Sequence, residues 1–266
     1  MKVLILGEIV GKAGLMAVRD LLRPLKKEKG IDLVIANAEG VTSGYGIGVQ
    51  HAMTLFKYGI DVITGGEKIF YKLDMQDFIG RKDRILRPAN YPEAVAGRGA
   101  RFVNVGEDKV FVLNLLGNAD MLSTHLANPF IMADSMVSRA QAETPYIFVV
   151  FHASTTAEKG VMGYELDSKA SAVIGTHCKV MSADSRILSG GTAFISDNGR
   201  CGSFMSVGGF KPENEVHKMV YSTFMRSFEC FDDIRLQGVL VTVGRDGKSQ
   251  SIERIDVKDT ASASES

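Results

Sequence analysis

A chain of 266 residues, 45% of them hydrophobic, is long enough to bury a sizeable core as one large domain. Its 31 Lys and Arg balance 31 Asp and Glu, and no basic stripe or acidic run breaks the mixture, so neither a nucleic acid nor a membrane is indicated and recognition is left to a local site. Cys178, Cys201 and Cys230 are odd in number and contain no CxxC pair, which excludes a disulfide framework and a zinc ribbon and points to a reducing, cytoplasmic location.

The opening MKVLILGEIVG holds an apolar run too short for a signal peptide or a membrane span, and reads as a buried strand at 3–6 stopped by Gly7. GEIVGKAG matches neither GxGxxG nor GxxxxGK followed by Ser or Thr, so the motif is only a weak signal for a nucleotide loop. Residues 12–28 then place Leu15, Val18, Leu21, Leu22 and Leu25 at helical spacing. Short apolar strands are expected at 32–36, 62–64, 110–115, 147–152 and 172–174, each ending near Gly, Asn, Glu or His. Helices are expected at 51–56, 75–79, 131–142 and 214–228, an alternation typical of a layered α/β fold. Segments 237–243 and 251–257 around GRDGK read as a hairpin at a sheet edge. One domain over 1–258 and a disordered tail over 259–266 are expected.

Polar residues gather at the strand ends, where open α/β sheets place their pockets. Glu8, Asn37, Glu39, residues 65–68, His152 and His177 are therefore candidates for one cleft. His51, His125 and His217 carry no such placement and read as ordinary surface or core residues, and the twelve methionines as core filling. Cys178, beside His177, reads as a buried neighbour, a soft ligand or a redox-sensitive thiol.

In order and spacing, GEIVG, IANAEG with GYGI, LRPANYPE, FHASTTAEKGVMGYELD, SAVIGTHCKV, SADSRIL and GGTAFISDNG resemble the YmdB family of calcineurin-like metallophosphoesterases. The resemblance runs from residue 1 to about 257 and is most specific over 152–188. It implies a four-layer α/β/β/α sandwich of two mixed sheets, two divalent metals at the strand ends, hydrolysis of phosphodiesters such as cyclic nucleotides, and a homo-oligomer. Glu8 stands where the family has Asp, and Glu39 matches a metal ligand. Gly40 replaces an Asn that reaches toward the second metal. In place of a Gly-Asn-His triplet stand Gly65, Gly66 and Glu67, so a ligand and the proton-donating His are both exchanged. His152 matches a metal-binding His, and His177 the first His of Gly-Thr-His-x-His, whose second position is Lys179.

Two ions held about 3.5–4 Å apart need lone-pair donors on every side. Gly40 and Gly66 offer none, and the Lys179 ammonium repels a dication by about 4 kcal/mol at ~4 Å in a partly solvated site. A two-metal centre is thus not expected; none, or one Mn, Fe or Zn ion on Glu8, Glu39, His152 and His177, is. Glu67 is ionised at neutral pH and is a poor stand-in for the catalytic His. Lys68 and Lys179 are expected to supply the missing positive charge, pairing with Glu8, Glu39 and Glu67, or binding phosphate. Asn90, Asp197 and Gly199 lie in segments that approach the cleft in the family, although turn building explains them equally well. Inherited packing explains Glu39, His152 and His177 as well as metal binding does.

The function expected is that of a YmdB-like pseudoenzyme with lost or weakened phosphodiesterase activity, acting as a binding, scaffold or regulatory protein with a protein partner. The alternatives are a phosphodiesterase with one metal and Glu67 or water as proton carrier, and a sensor that binds a nucleotide or other phosphate without cleaving it.

Overall fold

The computed structural model describes residues 1–121 and 126–260. The chain begins with β1 (Lys2–Leu6), β2 (Glu8–Ile9), α1 (Gly11–Lys29), β3 (Leu33–Asn37), α2 (Val49–Tyr58), β4 (Val62–Thr64) and α3 (Leu73–Phe78). It continues through β5 (Ile85–Leu86), β6 (Ala100–Val105), β7 (Asp108–Leu116), α4 (Pro129–Ala140), β8 (Tyr146–His152), α5 (Thr156–Glu165) and β9 (Ala172–Thr176). Last come β10 (Arg186–Ile187), β11 (Ala193–Ile195), β12 (Arg200–Ser203), α6 (Pro212–Tyr221), β13 (Ile234–Val243) and β14 (Ser249–Lys258).

These strands form two mixed sheets. One has the order β2-β12-β13-β1-β3-β4-β5, with β14 added on β13; the other has the order β10-β11-β9-β8-β7-β6. Because successive side chains of a strand point to opposite faces, each continuous apolar strand serves two cores. Val3 and Ile5 of β1 pack between the sheets with Val110, Val112, Phe148 and Val150, whereas Leu4 and Leu6 pack under Ala17, Val18 and Leu22 of α1. On the far side, Leu113, Val149 and Phe151 pack beneath Val137 of α4 and Met162 of α5. The result is the four-layer α/β/β/α sandwich.

The strands and helices anticipated between residues 3 and 174 are present within a few residues, and α5 is an addition to them. The segment 214–228 departs from its helical expectation: α6 stops at Tyr221, where Ser222 takes a left-handed φ of 51°, and 222–228 continues without regular structure. The anticipated hairpin is β13 and β14, with β1 and β12 on one side of β13 and β14 on the other. The tail starts later than residue 259, since Asp259 is buried and its N–H donates to the Ile234 carbonyl. Most of that tail, 261–266, and His125 lie outside the described residues. Among the described residues no helix is long and apolar enough to cross a membrane.

Candidate functional site

The carboxyl ends of β1, β3 and β4 in one sheet face those of β8 and β9 in the other, and the segments that follow them bring together the anticipated polar residues. Glu8, Glu39, Glu67 and His152 are all buried. Glu39 accepts hydrogen bonds from the backbone N–H groups of Gly66 and Lys68, which locks the loop after β4. Asn37 accepts from the Glu39 N–H at 3.0 Å and turns its amide nitrogen toward His152 Nδ1 at 3.2 Å. The Thr176 hydroxyl lies 2.8 Å from the same ring nitrogen. On the other side of the ring, His152 Nε2 sits 3.1 Å from Glu67 Oε2 and 3.1 Å from His177 Nδ1.

Two lysines enter this cluster. Lys179 Nζ lies 3.3 Å from Glu8 Oε1, and Lys68 Nζ lies 3.4 Å from Glu67 Oε1. Neither Glu8 Oε1 nor Glu67 Oε2 has a partner with hydrogen-bond alignment, so both oxygens are charge-paired without being saturated. The turn that aims His177 and Lys179 is strained: both residues have positive φ, 107° and 63°. Buried Asp197 holds it, accepting from the Cys178 N–H at 2.8 Å and from Lys159 Nζ at 3.1 Å, while Arg200 donates to the Lys179 carbonyl at 2.7 Å.

The charge states follow from burial and pairing. Burial pushes the Glu39 carboxyl up to about 7, with the positive His152 and the two backbone N–H donors opposing and Glu67 reinforcing it. Burial also pushes Glu67 up, but contact with His152 and the Lys68 charge outweigh it and hold the carboxyl below its usual range. For His152 burial favours the neutral ring, yet Glu67 wins and raises it. His177, desolvated and beside His152, is lowered to about 4 and stays neutral.

Two metal ions do not fit this donor set. A Cβ at position 40 would stand 2.5 Å from Glu8 Oε1, and one at position 66 would stand 2.3 Å from His152 Cδ2. The space that side-chain amides would need is filled by Glu8 and by the His152 ring, and ammonium groups hold two of the carboxylates. One ion fits better. Glu67, His152 and His177 each offer a ligand atom within 4.8 Å of the others. This group differs from the anticipated quartet. Glu67 joins the histidines, while Glu39 is turned to backbone amides and Glu8 to Lys179.

Asn90 does not face the cleft. Its amide donates to the carbonyls of Leu116 and Ala127 and its oxygen accepts from the Leu116 N–H, so it braces a loop rather than waiting for phosphate. Gly199, like Asp197, belongs to the turn: its N–H donates to Asp197 Oδ1. His51 and His217 stand apart, beside Thr42 and Tyr221. Cys178 is exposed, with Sγ 3.3 Å from Lys159 Nζ. Lys159 itself was not anticipated, yet it is wholly buried. It shares the buried face of α5 with Met162 and Gly163, and a lysine on such an apolar stripe signals a carboxylate partner elsewhere.

Comparison with known proteins agrees with this architecture. A family model described as YmdB-like protein matches residues 4–255. A 2',3'-cyclic-nucleotide 2'-phosphodiesterase of Bacillus subtilis is 34% identical over 260 residues, covering 97% of this chain and 98% of its own. A crystal structure titled as a novel phosphatase of Mycoplasma pneumoniae superposes with a TM-score of 0.90 at 31% identity, covering 100% of this chain and 97% of that one. At 12% identity and a TM-score of 0.57, a 5'-nucleotidase precursor of Thermus thermophilus shares the fold over 99% of this chain and 55% of its own.

Proposed function

Because the chain belongs to the YmdB-like protein family, we propose that it is a phosphoesterase-fold protein that keeps the family cleft for binding and has lost or weakened two-metal phosphodiester hydrolysis. One observation carries this reading: the buried carboxylates are already engaged by the chain itself, Glu8 by Lys179, Glu67 by Lys68 and His152, and Glu39 by the backbone N–H groups of Gly66 and Lys68. A pair of dications would have to displace two ammonium groups and break the contact between His152 and Glu67. At the mouth, Lys68 and Lys179 share a cavity of about 270 Å³ with Tyr45 and Phe210. Point charges beside aromatic faces suit a small phosphate ester, a nucleotide included.

The test is metal analysis of the purified protein together with turnover of an aryl phosphodiester and of 2',3'-cyclic nucleotides in added Mn. The reading expects less than one equivalent of metal, background turnover, and thermal stabilisation by a nucleotide or phosphate ester. Two tightly held equivalents with turnover abolished by His152→Ala would defeat it.

A second reading is a phosphodiesterase using one metal. The convergence of Glu67, His152 and His177 supports it, as does the activity named for the Bacillus relative. It expects one equivalent of Mn, Fe or Zn, and turnover lost in His152→Ala and His177→Ala alike.

A further inference from the structure

The loop after β5 carries a charge that the chain does not answer. Arg87 is only 6% exposed, yet among the described residues no carboxylate pairs with its guanidinium. Its terminal nitrogens donate to the carbonyls of Pro88, Ala89 and Val95 at 2.8, 3.4 and 3.3 Å, and its Nε has no partner. These dipoles hold the group in place without neutralising it, and a buried charge left in that state is costly. Bracing the loop does not require a cation. Three residues on, the neutral amide of Asn90 donates to two carbonyls without that cost.

Arg87 lines a cavity of about 550 Å³ between this loop and α4, a size usual for a small-molecule pocket. Met132 and Met136, one helical turn apart, give it an adaptable apolar wall. Ser135 and Arg139, also one turn apart, give it a polar edge. Arg139 is exposed and makes no ion pair among the described residues. Glu93, exposed as well, is the carboxylate of the wall. Two guanidinium groups against one carboxylate leave the cavity with a single positive charge.

We propose that this cavity binds a small monocarboxylic acid with an apolar body, the carboxylate on Arg87 and the body against Met132 and Met136. The planar fork of a guanidinium matches a carboxylate in shape as well as charge. One negative charge balances the wall, whereas a phosphate dianion would bring one charge too many beside Glu93. The cavity shares no lining residue with the one at Lys68 and Lys179, so it stands apart from what the cleft does.

The test is calorimetric titration of the full chain with 3-phenylpropanoate, with 3-phenylpropanol and phenyl phosphate as the uncharged and dianionic arms. The carboxylate should bind with a Kd below about 1 mM and the alcohol at least about tenfold more weakly. Ser135→Trp, which fills the cavity from an exposed position, and Arg139→Glu should each weaken the carboxylate about tenfold and leave phenyl phosphate unaffected. Glu93→Gln, which removes a repelling charge, should strengthen it, a gain that a merely bracing Arg87 does not produce. Arg87→Gln should abolish binding; if that loop loosens instead, the three exposed substitutions still decide. A native chain that takes up no 3-phenylpropanoate overturns the proposal, as does uptake indifferent to Ser135→Trp and Arg139→Glu. Equal affinity for the alcohol also overturns it, and so does phenyl phosphate binding that is lost with the same substitutions.

Discussion

Glu8 and Gly40 are coupled by contact: the longer carboxylate at 8 occupies the volume that any side chain at 40 requires. Gly40→Ala alone is expected to cost about 1–3 kcal/mol through overpacking. In the background of Glu8→Asp, which withdraws the carboxylate by one methylene, that cost should fall by about 1 kcal/mol, as urea unfolding of the four chains of a double-mutant cycle will measure. Additive costs would show that the clash relaxes elsewhere. Asp184 allows a test against pH. Burial raises its carboxyl, but hydrogen bonds from Ser182 and Ser196 dominate and lower it. A lowered folded pKa gives stability that is present above the unfolded value of about 3.9 and is lost as pH falls through the folded one. The melting temperature of Asp184→Asn should therefore lie below that of the native chain at pH 6, and the gap should close below about pH 4; a gap constant to pH 2.5 would count against it. At this scale the identity of the cleft residues was legible, because strand ends announce themselves as apolar runs broken by Glu, Asn or His. The pairing of Lys179 with Glu8 and of Lys68 with Glu67 was anticipated, but the rest was not. That Glu67 joins His152 while Glu39 turns to amides depends on which loop bends over which strand, and the burial of Lys159 against Asp197 joins positions 38 residues apart.

Among the elements, those with clear apolar patterning were readable, three-residue β4 included, whereas α5, β6 and most strands of two to four residues were not. β2, β5, β10 and β12 are too short to show a period, and β12, with sequence RCGS, is fully buried without an apolar pattern. The start of α4 is set by a side chain and lies two residues before the expected 131. Asn128 caps α4, accepting from the N–H groups of Phe130 and Ile131 at 2.9 and 3.3 Å, with Pro129 in the first turn. Asn128→Ala should cost about 1 kcal/mol, seen as a lower urea midpoint at unchanged slope, and Asn128→Gly only a few tenths. α6 misled for the opposite reason. Its apolar spacing runs on past Tyr221, yet α6 has no buried residue, so periodicity is not tied to the core there and no longer marks where the helix stops.

Across the whole molecule, the cleft is a joint product of the two sheets. Glu8, Glu39 and Glu67 follow strands of one sheet, and His152 and His177 end or follow strands of the other. Alternation alone made a layered α/β fold legible and the two-sheet sandwich followed from the family resemblance, whereas the pairing of distant strands was not readable. β1 shows what that pairing demands of the growing chain. One flank of it joins β3, some thirty residues on, but the other joins β13, with Lys2 opposite Thr242. At about 5–20 residues per second, roughly 10–50 s of translation separate the two strands. Throughout that interval a row of backbone amides and carbonyls on the nascent polypeptide lacks its native partner and is open to any neighbouring strand on the polysome.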